Sequence, residues 1–156
     1  MKRSHYHQGK YEVKNKEKYI GSGTPIYRSG WEKKVFWYLD SNQNVLKWAS
    51  EPFSIPYQMT NPKTGAKEVH NYWPDIYAEI QTRDGTIIKY LYEIKPKAQT
   101  VPPKPPKNKN NKARARFLNE AATYAKNISK WKFASAFCKK NGIKFDFITE
   151  DNILLK

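Results

Sequence analysis

Apolar positions along the chain change period several times, and the changes divide it into elements. Trp31, Val35, Phe36 and Leu39 recur at helical spacing after Ser29, and Ser29 has the side chain of an N-cap. Asp40-Ser41-Asn42 ends this predicted helix. Residues 45–48 and 53–57 read as short strands split by Ser50-Glu51-Pro52. Asn61-Pro62-Lys63-Thr64-Gly65 is turn chemistry, and a strand is expected to begin near Lys67. Residues 72–97, YWPDIYAEIQTRDGTIIKYLYEIKPK, read as a β-hairpin. Further on, Ala113, Phe117, Ala121, Tyr124, Ala125 and Ile128 form one helical pattern. Trp131, Ala134, Phe137 and Cys138 form a second, with Asn141-Gly142 as its stop. Ile143, Phe145 and Phe147 then alternate as one face of a last strand. The order helix, strands, two helices, strand predicts an α/β fold in which helices flank a mixed β-sheet.

Two stretches lack such patterning. Residues 1–24 interleave lysines and tyrosines with almost no aliphatics, which predicts a basic N-terminal arm, either lying on the domain or on DNA or extending as a solvated flexible tail. Residues 96–112, PKAQTVPPKPPKNKNNK, hold five prolines and exclude regular structure. They read as a Pro/Lys-rich loop within a single domain spanning residues 25–156. The chain has 156 residues and a net charge of +15, from 29 Lys and Arg against 14 Asp and Glu. That excess calls for a polyanionic partner, and nucleic acid is the leading one. There is no apolar run of about 18 residues and no apolar signal core, so no membrane association is expected. The single cysteine, Cys138, excludes an intrachain disulfide and a Cys-rich zinc site, and fits a reducing compartment.

The hairpin carries the candidate chemistry, and its loop length decides whether the chemistry comes together. A two-residue Asp84-Gly85 turn would place Asp75 and Glu93 on opposite faces. A three-residue loop, Arg83-Asp84-Gly85, pairs Thr82 with Thr86 and sets Asp75 opposite Glu93. Gly85 sits where that loop needs a left-handed residue, so the three-residue loop is predicted. Asp75, Glu93 and the carbonyl of Ile94 then offer three oxygens to Mg²⁺, with Mn²⁺ as a substitute. Lys95 projects from the same face, toward the place of a phosphate and an attacking water. An ordinary surface ion pair is the competing reading. Glu32 lies at the apolar face of the first helix and is either a further acidic group of the site or the partner of Ser29 in a capping box. Glu51 reads as a turn residue, His5, His7 and His70 as solvated side chains, and Cys138 as core. Lys97, Lys104, Lys107, Lys109, Lys112, Arg114 and Arg116 form a basic cluster after the site, suited to DNA phosphates.

Glu32, Pro74-Asp75 and Glu93-Ile94-Lys95, in this order of elements, resemble the PD-(D/E)xK nuclease superfamily. That resemblance implies a restriction-endonuclease-like core and Mg²⁺-dependent hydrolysis of DNA phosphodiester bonds. It implies Asp75 and Glu93 as metal ligands, Lys95 as the catalytic lysine and Glu32 as an accessory acid. The segments RSHYHQGKY, IYRSGWE, VLKWASE, IPY, YWPDIY and YEIKPK are similar to head-completion nucleases of large contractile-tailed bacteriophages. This narrower resemblance implies action on packaged double-stranded DNA ends or at the head neck before tail joining. It also implies head and neck proteins as partners, and a place in the virion and the host cytoplasm. A non-catalytic neck protein binding DNA through the same fold is the alternative. Pro96, directly after Lys95, implies that the catalytic strand ends at the site.

Overall fold

The computed structural model describes residues 8–61 and 63–153. A short ribbon opens the chain, pairing β1 (Gly9–Lys10) with β2 (Ile26–Tyr27). Helix α1 (Gly30–Ser41) follows, with the Ser29 Oγ accepting from the Glu32 N–H. Then come β3 (Val45–Ser50), β4 (Ile55–Thr60), β5 (Lys67–Tyr72), β6 (Ile76–Gln81) and β7 (Ile87–Ile94). A single 3₁₀ turn (Lys97–Thr100) leads through the proline-rich segment to α2 (Asn111–Lys140). The chain closes with β8 (Lys144–Ile148) and α3 (Glu150–Ile153).

The central sheet has the order β3-β6-β7-β8. Its first three strands are antiparallel and β8 joins β7 in parallel, so α2 is the crossover between parallel neighbours. β4 and β5 form a separate ribbon. One face of the sheet buries Val45, Trp48, Ile76 and Ala78 against Val35, Phe36 and Leu39 of α1. The other buries Leu91 against Trp131, Ala134 and Cys138 of α2 and against Ile55, Tyr57 and Tyr72 of the ribbon. The expected fold class, a mixed sheet flanked by helices, is therefore the one found.

The hairpin has the predicted loop. Thr82 N–H donates to the Thr86 carbonyl at 2.8 Å, and Gly85 adopts φ +86°. The ladder runs from Gln81 opposite Ile87 to Ile76 opposite Tyr92, the register that, extended one step beyond β6, sets Asp75 level with Glu93. β7 ends at Ile94, two residues before Pro96.

Two expectations are corrected. The two helical patterns are one continuous 30-residue helix. Its inward stripe runs 113, 117, 121, 124, 127, 131, 134, 138, so the half-turn position is filled by Asn127, while Ile128 faces outward. Nothing between the two patterns breaks a helix, since no Gly or Pro intervenes. The segment before α1 is also less arm-like than its composition suggests. Tyr11 is buried in the α1 core with Val13 and Tyr19 packed beside it. The anchor is Asp40, 1% exposed, which accepts from Tyr11 OH (3.0 Å), Lys14 N–H (2.8 Å) and Asn15 N–H (3.0 Å). Burial alone would raise the Asp40 carboxyl, but these donors hold it below its ordinary value. His5 and His7 lie outside the described residues.

Candidate active site

The site forms where the chain enters β6 and leaves β7. Pro74 is fully buried just before β6, where no ladder bond needs its missing N–H. It delivers Asp75 to the sheet end, where Asp75 Oδ2 accepts from the Ile94 N–H at 2.8 Å. The Asp75 carbonyl accepts from the Glu51 N–H at 2.9 Å, which ties the end of β3 to the same point. Glu93, 7% exposed, points into the α2 side of the sheet. Its Oε2 accepts a short hydrogen bond from Tyr72 OH, and its Oε1 lies 3.7 Å from Lys95 Nζ.

The electrostatics of the pair are unfavourable without further positive charge. Burial, together with the nearby Glu93 charge, pushes the Asp75 carboxyl up to about 8. The Ile94 N–H and Lys95 offset this only in part, and Glu32 adds to it. Glu93 is likewise raised by burial, against the lowering effects of Tyr72, Lys95 and Lys130. Two acids held this way take up a proton or a cation. Among the described residues, no group of three His, Cys, Asp or Glu side chains is arranged as a metal cage. Mg²⁺ does not require one, since it keeps several waters and takes only one or two carboxylates. The pair and its unrelieved repulsion fit a divalent ion.

Glu32 turns out to serve the helix start while facing the site. Its Oε2 accepts from the Arg28 N–H at 2.6 Å, one residue upstream of the capping-box partner expected at Ser29. Glu32 also lines a cavity of about 10 Å³ with Arg28, Phe36, Glu51, Asp75 and Ile94. That is near the lower limit for one water. Glu51 is in a turn, as expected, at φ +44°. Its carboxylate pairs with Arg28 at the rim of the same cavity, which the sequence did not indicate. His70 pairs with Glu68 at 3.0 Å, and Cys138 is buried.

Three further side chains belong to the site. Tyr72, the last residue of β5, holds Glu93 and stands three residues before Asp75. Lys130 of α2 sits 5.6 Å from the Tyr72 ring centroid and within electrostatic reach of Glu93 and Asp75. Burial lowers its pKa, and Lys126 and Lys95 lower it further. Arg28 is the third, through Glu51 and the cavity. The only local signal for Lys130 is its place beside Trp131 on the inward stripe. The basic cluster is exposed throughout: Lys97, Lys104, Lys107, Lys109, Lys112, Arg114 and Arg116. Lys97 pairs with Asp151 (2.7 Å) and Arg116 with Glu120 (3.0 Å).

A mixed sheet whose central hairpin ends in Asp, Glu and Lys, with a helix on each face, defines a nuclease of the PD-(D/E)xK type. Residues 42–150 match the TnsA-like endonuclease N-terminal family, and the chain belongs to it. At closer range, the chain is 40% identical over 148 residues to the head completion nuclease of Enterobacteria phage T4. That match covers 94% of this chain and 93% of the phage protein.

Proposed function

We propose that this protein is a divalent-metal-dependent endodeoxyribonuclease that acts on double-stranded DNA during phage head completion. The observation that carries the reading is half-buried Asp75 set near buried Glu93, beside Lys95 at the end of β7. Family membership and the likeness to the T4 protein support it. Asp75 and Glu93, with the Ile94 carbonyl, would hold Mg²⁺, and Mn²⁺ in its place. The chemistry such an ion supplies is a lower pKa for an attacking water and compensation of charge on the phosphate.

The chain's own groups do the rest. Lys95 places an ammonium beside Glu93, positioned to orient the attacking water and to stabilise charge gathering on the phosphate. Tyr72 fixes the rotamer of Glu93 through its hydroxyl. Glu32 contributes negative charge at the Asp75 cavity from α1. The basic cluster from Lys97 to Arg116 binds the flanking backbone. Lys112 and Arg114 lie in the first turn of α2, at the positive end of its dipole, where an anion would relieve the unfavourable charge. The partners that follow are double-stranded DNA and proteins of the phage head and neck. The corresponding locations are the virion and the host cytoplasm. Among the described residues, no helix is long and apolar enough to cross a membrane.

The test is cleavage of duplex DNA by the purified protein with Mg²⁺ or Mn²⁺. Asp75→Ala and Lys95→Ala should each lower the rate by at least about a hundredfold with DNA binding and fold retained. Unchanged cleavage in both variants removes this site. Binding without any cleavage by the wild type leaves a DNA-binding neck protein that keeps the fold without using it.

A further inference from the structure

A cleft of about 690 Å³ lies between the 3₁₀ turn with the segment that follows it and the middle of α2. One wall is Gln99, Pro102 and Pro103; the other is Asn119, Tyr124 and Asn127. It differs from an ordinary surface groove in one respect. Asn127 is 9% exposed, occupies a position on the apolar stripe of α2, and lines the cleft. Its carboxamide makes no hydrogen bond with any described residue. The chain supplies no partner for this amide, which leaves it free for a group that enters the cleft. One turn along, the indole Nε1 of Trp131 is buried without a partner. The helix thus gives up apolar packing at Asn127 and receives nothing for it within the chain.

The lining matches one ligand chemistry. A carboxamide offers a donor and an acceptor side by side, which suits the edge of a nucleobase. Tyr124 and the proline rings offer flat apolar surfaces for its faces. Lys104 lines the cleft as well, where a phosphate attached to that base would lie. Both walls of the cleft lead along the chain to the site. Pro96 and the 3₁₀ turn continue directly from Lys95, and Lys130 follows Asn127 by three residues on the same helix.

We propose that this cleft binds an unpaired nucleobase of the DNA strand whose phosphate lies at Asp75, Glu93 and Lys95, with Asn127 reading the base edge. This rests on the nuclease reading above and extends it: the preferred substrate carries a single-stranded end or a frayed pair beside the scissile bond. A fully paired duplex leaves the cleft unfilled.

The experiment compares the full-length protein on a blunt duplex and on the same duplex with a short single-stranded overhang. 2-Aminopurine is placed at successive positions of the overhang. Binding is read in EDTA, so that it does not depend on cleavage. The expected result is about tenfold tighter binding of the overhang substrate, with a fluorescence change at one overhang position. Asn127→Leu, which keeps the volume and suits the stripe, should remove both. Thr123→Trp, which fills the cleft from its exposed rim, should do the same and covers the case in which Asn127→Leu does not fold. Equal affinity for both substrates, or an overhang preference that survives both variants, overturns the proposal. Cleavage with Mg²⁺ is measured in parallel. Cutting without overhang preference refutes the cleft alone, whereas overhang preference without cutting refutes the nuclease reading and leaves the cleft standing.

Discussion

At the residue scale, the site is a balance of buried charges, and each member can be tested through that balance. Glu93 is held by Tyr72 from β5, by Lys95 from its own strand and by the charge of Lys130 from α2. Losing Lys130 leaves a buried carboxylate with less compensation and takes a cation from the place of the phosphate. Lys130→Met should therefore slow cleavage by about ten- to a hundredfold, and Lys130→Arg should recover most of it, read as single-turnover rates at saturating DNA. The acid pair also makes a prediction for metal-free protein. Asp75 has a folded pKa above its unfolded one, so the folded state binds the extra proton. Its contribution to stability is therefore present at low pH and is lost as pH rises toward about 8. In EDTA, the thermal midpoint should fall between pH 5 and 8. Asp75→Asn should flatten that slope and raise stability at pH 8 by on the order of a few kcal/mol. A wild-type midpoint that rises across this range would contradict the charge balance described here. Asp40 acts in the opposite sense, since its lowered pKa stabilises the fold only above the ordinary carboxylate range.

At the element scale, the hairpin was legible because one loop residue settles it. Gly85 favours a three-residue loop, and with side chains alternating along strands, loop length alone decides which face Glu93 takes. Gly85→Ala should cost about 1 kcal/mol through its positive φ but leave the register, and hence the cleavage rate, near wild type. Deleting Arg83 should abolish cleavage, because either Glu93 leaves its face or a bulge distorts the end of β7. Chemical denaturation and a cleavage assay separate the two effects. Other elements were not legible, for physical reasons. α2 reads as two helices because a polar residue, Asn127, stands on its apolar stripe, and Ile128 invites a register that the fold does not use. The packing of Tyr11, Val13 and Tyr19 has no period to detect, since it depends on Asp40, which is 29 residues from Tyr11. Asp75, Glu93 and Lys95 could be found because one hairpin carries all three. Tyr72 and Lys130 could not, because a different ribbon and a distant helix bring them in.

At the scale of the whole molecule, a charge of +15 would favour any polyanion, so charge alone does not define a DNA path. The distribution does. Lys104, Lys107, Lys109, Lys112, Arg114 and Arg116 lie together on the segment that leaves the site and on the first turns of α2, all exposed. If backbone phosphates run along this segment, each lost contact should reduce the slope of log Kd against log salt by about 0.9. Replacing Lys107, Lys109 and Arg114 together by Gln should weaken duplex binding several-fold to a hundredfold and reduce the slope by about two to three. A second variant removes the same charge elsewhere, with Lys63 and Lys67 at the β4–β5 turn and Lys16 before α1 changed to Gln. It should shift affinity only slightly and leave the slope near wild type. Single-turnover cleavage at saturating DNA should stay close to wild type in both, because neither touches Asp75, Glu93 or Lys95. Equal losses of slope in the two variants would mean that DNA is held by net charge, without a track leading into the site. A loss confined to the first variant places the duplex along the proline-rich segment and α2, the two walls that meet at Lys95.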